Sequence, residues 1–496
     1  MSIKRWIAAL WFGAALAAPA PAADVINIKV HAEVANAGYI GNGVEWDPYD
    51  EALDWGAEIS EADWQTLFKR LDFMKPQYVR CMINGQFSYY NMETKMYDRQ
   101  RRQTNIHRLL DYCTKHHITV IFGEYNPPLW SMKTDQEWIE MSVDYLNWLV
   151  QEQGFTCIKH FVIFNEPDGY WSPMDGNYDE WLSVLRRFHQ QMSTYPGLTG
   201  KVSLAGPDVV LNYKNDKSRY DANGWVEQTA KDADAMIGVY DVHAYPGQYE
   251  VRMGNYGKVL RNIRRRVPAN KKVVLGEAGY KYYQPEDSVL QQEHKRRFEG
   301  HPYTKGTDCN MLVYDYFYGL DMPLLAMEAM NNGFSGLALW MLDDAMHSNG
   351  DTGKPEDIKI WGLWNILGTE VFDDPSQEEI RPLFYTWSLM CRYFPAGSDI
   401  LKIEKSSDDA AGVYAVAGNY KGKTTVALVN VGKTDRDVVV RLPKKIKSGK
   451  LYLYEEGNLK QDENGFPLPR LSNFSAKKTY KTKLKANTFI LLTDIK

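Results

Sequence analysis

Cysteine is scarce in this chain: Cys81, Cys113, Cys157, Cys309 and Cys391 are an odd number in 496 residues. They form no CxxC pair and no Cys/His metal spacing, which argues against a disulfide framework and a structural zinc. Their apolar neighbours predict small buried hydrophobes instead. Histidine is also sparse, 10 in all, with no HxH at the end of any apolar run. That disfavours the metal hydrolases built on barrels, so neither a metal nor a cofactor is expected. No GxGxxG or GxxxxGK[ST] follows a strand-like segment, which removes the usual nucleotide sites. Basic excess is missing too: Lys+Arg of 58 against Asp+Glu of 63 gives a net charge of −5 without a basic tail. Nucleic acid is therefore not an expected partner. The arginines from Arg261 to Arg266 read as a solvated helix face. There is no internal repeat, no low-complexity linker and no apolar run long enough to span a bilayer.

The longest apolar run, Trp6 to Ala18, follows Lys4 and Arg5 and precedes Pro19-Ala20-Pro21-Ala22-Ala23. This order is that of a signal peptide over residues 1–23, cleaved near Ala22 or Ala23. No cysteine stands there for a lipid anchor. The expectation is an exported chain, periplasmic or extracellular, whose mature form does not insert in a membrane.

What the chain has in quantity is alternation. Short apolar strands are expected around Val44 and over Tyr78–Ile83, Ile118–Glu124, Phe161–Glu166, Val202–Pro207, Tyr240–Tyr245, Lys272–Glu277 and Gly333–Leu342. Segments with helical periodicity separate or follow them: Glu61–Met74, Asn105–His116, Gln136–Gln151, Glu180–Ser193, Gly224–Ala235, Gly254–Arg265, Leu312–Asn331 and Arg381–Tyr393. Eight strands alternating with eight helices predict an α/β fold, a (β/α)8 TIM barrel, over residues 24–396; a doubly wound open sheet is the competing arrangement. Past Phe394-Pro395-Ala396-Gly397 the period becomes two, in short runs broken by Gly, Asn, Asp and Lys. This predicts a small antiparallel β-sandwich over 397–496, with residues 24–35 as a possible extra strand.

In a barrel, the C-terminal strand ends carry the chemistry. Phe161-Val162-Ile163-Phe164 runs into Asn165-Glu166-Pro167, where proline cannot continue a ladder, and Val273-Val274-Leu275-Gly276 runs into Glu277. Two glutamates ending the fourth and seventh strands face one cavity although 111 residues separate them. Cleaving a glycosidic bond requires two carboxylates across it, about 5–5.5 Å apart for double displacement and about 6.5–9.5 Å for single displacement.

This pattern resembles clan A of the glycoside hydrolases, retaining (β/α)8 enzymes with Asn-Glu after strand four and a nucleophilic Glu after strand seven. The resemblance spans about Val44 to Tyr393, and the C-terminal part looks like the sandwich of the β-xylosidase, iduronidase and glucosylceramidase-like members. It implies Glu166 as general acid/base and Glu277 as nucleophile, with their pKa values pushed apart so that Glu166 holds a proton while Glu277 is ionised. It also implies Arg80 beside the nucleophile, Asn165 on the sugar 2-hydroxyl, His243 and Tyr245 orienting the nucleophile, and Trp340 as the floor under the sugar. Ala278 departs from the pattern, since many relatives have an aromatic there, and this leaves the subfamily open.

Other residues fall on the same face by position. Glu45, Trp46 and Asp47 follow strand one, Glu124 and Asn126 strand three, and Tyr170 and Trp171 strand four. Tyr280, Tyr282 and Tyr283 follow strand seven, and Asp343 and Asp344 strand eight. Of these, Trp46, Glu124, Trp171, Tyr280 and Asp343 are taken as candidate substrate contacts. The resulting expectation is an exported retaining β-glycosidase acting on oligo- or polysaccharides. An endo-acting β-glucanase on the same scaffold and a non-catalytic carbohydrate-binding barrel are the alternatives.

Overall fold

The computed structural model describes residues 25–304 and 308–496. The expected signal peptide lies outside them.

Eight parallel strands close into a barrel: Gly41–Glu45, Tyr78–Ile83, Thr119–Glu124, Ile158–Val162, Ser203–Val210, Ile237–Ala244, Lys272–Ala278 and Gly336–Leu339. Chain order is ring order, the last strand pairing with the first through Gly336 opposite Gly41. The strands are apolar and buried because helices cover the outside and side chains fill the inside. The helix Glu61–Met74 shows how the outer layer is specified. Trp64, Leu67, Leu71 and Met74 recur at the three- and four-residue spacing of one face and are buried, and Ser60 opens the helix with a reciprocal capping box to Asp63.

The fourth strand departs from expectation. It ends at Val162, because its pairing with the fifth strand covers only His160 opposite Ser203 and Phe161 opposite Leu204. Beyond it the chain stays close to the barrel, with Asn165 N donating to the Tyr125 carbonyl at 3.2 Å. It then turns sharply at Glu166, which takes the left-handed φ of 46° immediately before Pro167. The glutamate thus stands on a turn above the strand and not on its last residue.

In the C-terminal part the expectation of an antiparallel sandwich is modified in two ways. The sheet has nine strands, in the order Leu471–Ala476, Ile446–Glu455, Thr488–Thr493, Lys423–Asn430, Val413–Tyr420, Ser398–Lys405, Ile26–Tyr39, Arg436–Arg441 and Thr479–Leu484. It is mixed, since Ile26–Tyr39 pairs antiparallel with Ser398–Lys405 but parallel with Arg436–Arg441. Two strands escaped the sequence analysis, Leu471–Ala476 and Thr479–Leu484: only Phe474, Ala476 and Leu484 of them are buried, too few apolar positions for a period of two to show.

Residues from opposite ends of the strand order, Ile446 and Phe474 with Val438 and Leu484, share one apolar core, so the sheet folds over on itself as a sandwich. The alternate residues of its central strands, Tyr414, Val416, Ala427 and Val429, belong to the core of the barrel. One strand pleat therefore serves two cores. Tyr454 completes the joint: it stacks on Tyr316 at 4.4 Å between ring centres and donates its hydroxyl to the Tyr316 carbonyl at 2.9 Å.

Candidate active site

At the C-terminal ends of the strands lies a cavity of about 1150 Å³. Glu166 and Glu277 face each other on it, and one oxygen of each, with a ring nitrogen of His243, lies within 4.8 Å of the others. The seventh strand achieves this through an irregularity at Gly276 that sets Glu277 opposite His243 on the sixth strand. A glycine is required there: a Cβ on Gly276 would sit 2.2 Å from Oδ1 of the buried Asp241.

Arg80, fully buried within the second strand, is the hub of the site. Its Nη1 donates to Glu277 Oε1 at 2.7 Å and to the two oxygens of Glu45 at 2.9 and 3.1 Å. Its Nη2 donates to Asn165 Oδ1 at 2.7 Å and to Asp208 Oδ2 at 3.0 Å. Burial works against the guanidinium, but Asp208, Glu45 and Glu277 outweigh it and hold the side chain charged well above its usual range. Tyr245 donates to Glu277 Oε2 at 2.6 Å. Burial, then the charge of Glu277, pushes the Tyr245 hydroxyl up, so it remains a donor.

His243 spans both carboxylates. Its Nδ1 lies 2.8 Å from Glu166 Oε1 and 3.5 Å from Glu277 Oε2, and its Nε2 lies 3.2 Å from Asp208 Oδ1. Burial disfavours the charged ring, yet Glu277 and Asp208 together raise it well above the usual histidine range, so the ring is an imidazolium donating at both nitrogens. Burial likewise pushes Glu277 upwards, against the pull of His243 and Arg80. With a guanidinium at 2.7 Å and a phenol at 2.6 Å donating to it, and the His243 ring 3.5 Å away, its carboxylate form is the one the surroundings satisfy.

Asp208 is the member of the site that the sequence analysis missed. It follows Gly206-Pro207 in the fifth strand, has a left-handed φ of 63°, and also accepts the backbone N–H of Glu166 at 3.3 Å. Burial is opposed by Arg80 and His243, which hold it below the usual carboxylate range. The same argument that singled out strand-end carboxylates applies to it, one residue past the expected strand. Tyr125 and His347 were also missed. The Tyr125 hydroxyl lies 2.9 Å from Asp47, 3.1 Å from Glu45 and 3.2 Å from His347. His347 stacks on Trp340 with 5.8 Å between ring centres and 12° between planes.

Of the expected residues, Arg80, Asn165, Glu166, His243, Tyr245 and Glu277 come together, and Trp340 and Trp171 line the same cavity. Trp171 Nε1 donates to Glu166 Oε2 at 2.5 Å. Asn126, Tyr170, Tyr282 and Tyr283 also line it. Four expected substrate contacts lie elsewhere or point away. Trp46 is buried edge-on against Tyr112, because alternation turns Glu45 inward to Arg80 and its neighbour outward to the helices. Glu124 is likewise turned outward and accepts from Tyr89 at 2.8 Å and Trp138 at 3.0 Å. Asp343 accepts from Trp364 Nε1, Tyr49 and two backbone N–H groups, which fixes the loop after the eighth strand. Tyr280 borders the cavity but donates its hydroxyl to the Asp321 carbonyl at 2.8 Å. Asp344 pairs with Arg381 and is structural too.

Two groups bring potential metal ligands together, Glu166, His243 and Glu277, and Asp208, Asp241 and His243. His243 belongs to both, and its two ring nitrogens already face carboxylate oxygens of Glu166 and Asp208. The positive charge that these carboxylates need already comes from Arg80 and His243.

A closed parallel barrel with a folded sheet docked on it defines the class of structure. No protein-family model matches the chain, and no curated protein does. Solved structures match over nearly the whole chain at low identity. A GH30 endoxylanase from Clostridium papyrosolvens C71 is 12% identical with a TM-score of 0.61, over 95% of this chain and 99% of that one. A GH39 β-xylosidase from Caulobacter crescentus is 13% identical with a TM-score of 0.57, over 95% and 99%. An endo-β1,6-glucanase is 14% identical with a TM-score of 0.57, over 96% and 94%. The chain is similar to these proteins in fold.

Proposed function

We propose that this chain is a retaining glycoside hydrolase, cleaving β-glycosidic bonds of oligo- or polysaccharides by double displacement. The observation that carries this reading is the approach of Glu166 and Glu277, whose nearest oxygens lie within 4.8 Å. That approach lies nearer the separation of about 5–5.5 Å for double displacement than that of about 6.5–9.5 Å for single displacement.

In the first step a Glu277 oxygen attacks the anomeric carbon while Glu166 delivers its proton to the departing glycosidic oxygen. The C–O bond breaks, the leaving group departs as an alcohol, and the sugar is held as an ester on Glu277. In the second step Glu166, now a carboxylate, takes a proton from water; the water oxygen bonds to the anomeric carbon and the ester bond returns its electrons to Glu277. Arg80 and Tyr245, one on each oxygen of Glu277, aim the nucleophile and stabilise it as a leaving group. Asn165, fixed by Arg80, is placed to bind the 2-hydroxyl, and Trp340 offers a flat wall for the ring. The GH30, GH39 and β1,6-glucanase neighbours support the same chemistry. Residues 24–396 would carry catalysis and 397–496 would support the barrel. Export rests on the segment 1–23, and amino-terminal sequencing of the protein recovered outside the cytoplasm tests it.

The test of the chemistry uses aryl β-glycosides. Glu277→Ala is expected to abolish turnover and to form a glycosyl azide of inverted configuration when azide is added. Glu166→Ala is expected to retain turnover only of substrates with good leaving groups. Wild-type turnover by Glu277→Ala would sink the assignment.

A further inference from the structure

Trp171 marks one side of the carboxylate pair, because its indole N–H is bonded to Glu166. If Glu166 is the acid, this is the side on which the leaving group sits. Past Trp171 the surface dips again into a second cavity of about 310 Å³. Asn126, Trp171 and Gly350 border both cavities, so the two are parts of one cleft with Trp171 at the divide.

Three features of the second cavity point to a ligand. Trp130, on the turn Trp130–Met132, leaves 53% of its surface in water, although a tryptophan gains more than any other side chain from being covered. Among the described residues no other ring packs against it. Asn84, Gln86 and Asn126 line the same cavity, and their amides are groups suited to the paired donors and acceptors of sugar hydroxyls. The Asn126 Oδ1 is buried and has no hydrogen-bond partner, an acceptor that a ligand hydroxyl would satisfy. Among the described residues that line the cavity none is charged, which suits a neutral ligand.

We propose that this second cavity is a binding subsite for a further neutral sugar of the leaving-group chain, one unit beyond the sugar that carries the departing oxygen. The sugar's apolar face lies on Trp130 and its hydroxyls meet Asn126 and its neighbouring amides. This rests on the glycosidase reading for its orientation, and it deepens that reading: the substrate is a glycan extending past the cleaved bond on the Glu166 side, and an aryl glycoside fills only part of the cleft.

The experiment compares wild type, Trp130→Ala and Trp130→Phe on tetrasaccharides of β-1,4-xylan, β-1,4-glucan, β-1,3-glucan and β-1,6-glucan and on the matching aryl glycosides. For the tetrasaccharide that wild type cleaves, kcat/KM should fall about tenfold or more in Trp130→Ala and less in Trp130→Phe, with aryl glycoside turnover unchanged. Equal effects on both substrate types, or none on either, overturn the subsite. Binding keeps the test separate from catalysis. Tryptophan fluorescence of the Glu277→Gln protein should change saturably with the same tetrasaccharides, and Trp130→Ala in that background should weaken the response. A response independent of Trp130, or no response to any of the four, overturns the proposal whatever the fate of the catalytic assignment, which stands or falls on Glu277→Ala alone.

Discussion

Asp208 secures both cations of the active site, its Oδ2 accepting Arg80 Nη2 at 3.0 Å and its Oδ1 accepting His243 Nε2 at 3.2 Å. Neither bond touches the cavity, yet through them one buried carboxylate sets the position of the groups that contact Glu166 and Glu277.

Replacing Asp208 by Asn keeps the size and removes the charge. His243 then loses one of the two carboxylates that raise its pKa, so that pKa falls, and the pH–rate profile shifts because the charge facing Glu166 changes. We expect kcat to fall by about 10²-fold with KM little changed, because the loss is felt by the catalytic groups and not by the sugar contacts. A pH–rate profile identical to wild type would show that Asp208 is only structural.

Arg80→Met is expected to destabilise the fold as well as inactivate it. Glu45, Asp208 and Glu277 would be left buried without their shared cation. Breaking a buried pair in this way costs about 3–5 kcal/mol. Chemical denaturation measures it, and the deficit should narrow as pH falls, since protonation removes the uncompensated charge.

Tyr245→Phe deletes a single donor, the 2.6 Å bond to Glu277 Oε2. Without it Glu277 is a poorer leaving group, so breakdown of the glycosyl ester slows and the ester accumulates. A charged hydrogen bond of this kind corresponds to about 10- to 100-fold in kcat. Rapid-quench kinetics on an activated aryl glycoside should show a burst absent from wild type.

His347 predicts a pH dependence of stability. Burial opposes its charge, but Asp47 and Glu51 raise its pKa from the ordinary 6.5 to about 10. A group raised on folding stabilises fully below its unfolded pKa and loses that contribution as pH climbs through the folded one. The thermal midpoint of wild type should therefore decline between about pH 6.5 and 10, and His347→Asn should be less stable at pH 6 but flatter across that window. Parallel curves for the two proteins would contradict the assignment.

The local patterns of the chain were sufficient for its barrel. Alternating strand and helix periods set out the barrel, because strands buried on both faces and helices buried on one leave different apolar spacings. The same patterns, with Pro167 and the short apolar runs before Glu166 and Glu277, set two carboxylates at strand ends. Which side chains then turn inward was decided by the tertiary structure. Glu45 reaches Arg80 while Trp46 packs on Tyr112, and Tyr125 enters the site while Glu124 leaves it, because the barrel fixes which phase of the alternation faces its axis. Asp208 shows the same limit: its charge is evident in the sequence, but its role depends on meeting Arg80, His243 and the Glu166 backbone, and only the barrel brings those three segments together. The second cavity is also a product of closure, since Asn84, Asn126, Trp130 and Trp171 come from loops after three different strands. Periodicity is a property of neighbours along the chain, whereas a site is a property of neighbours in space.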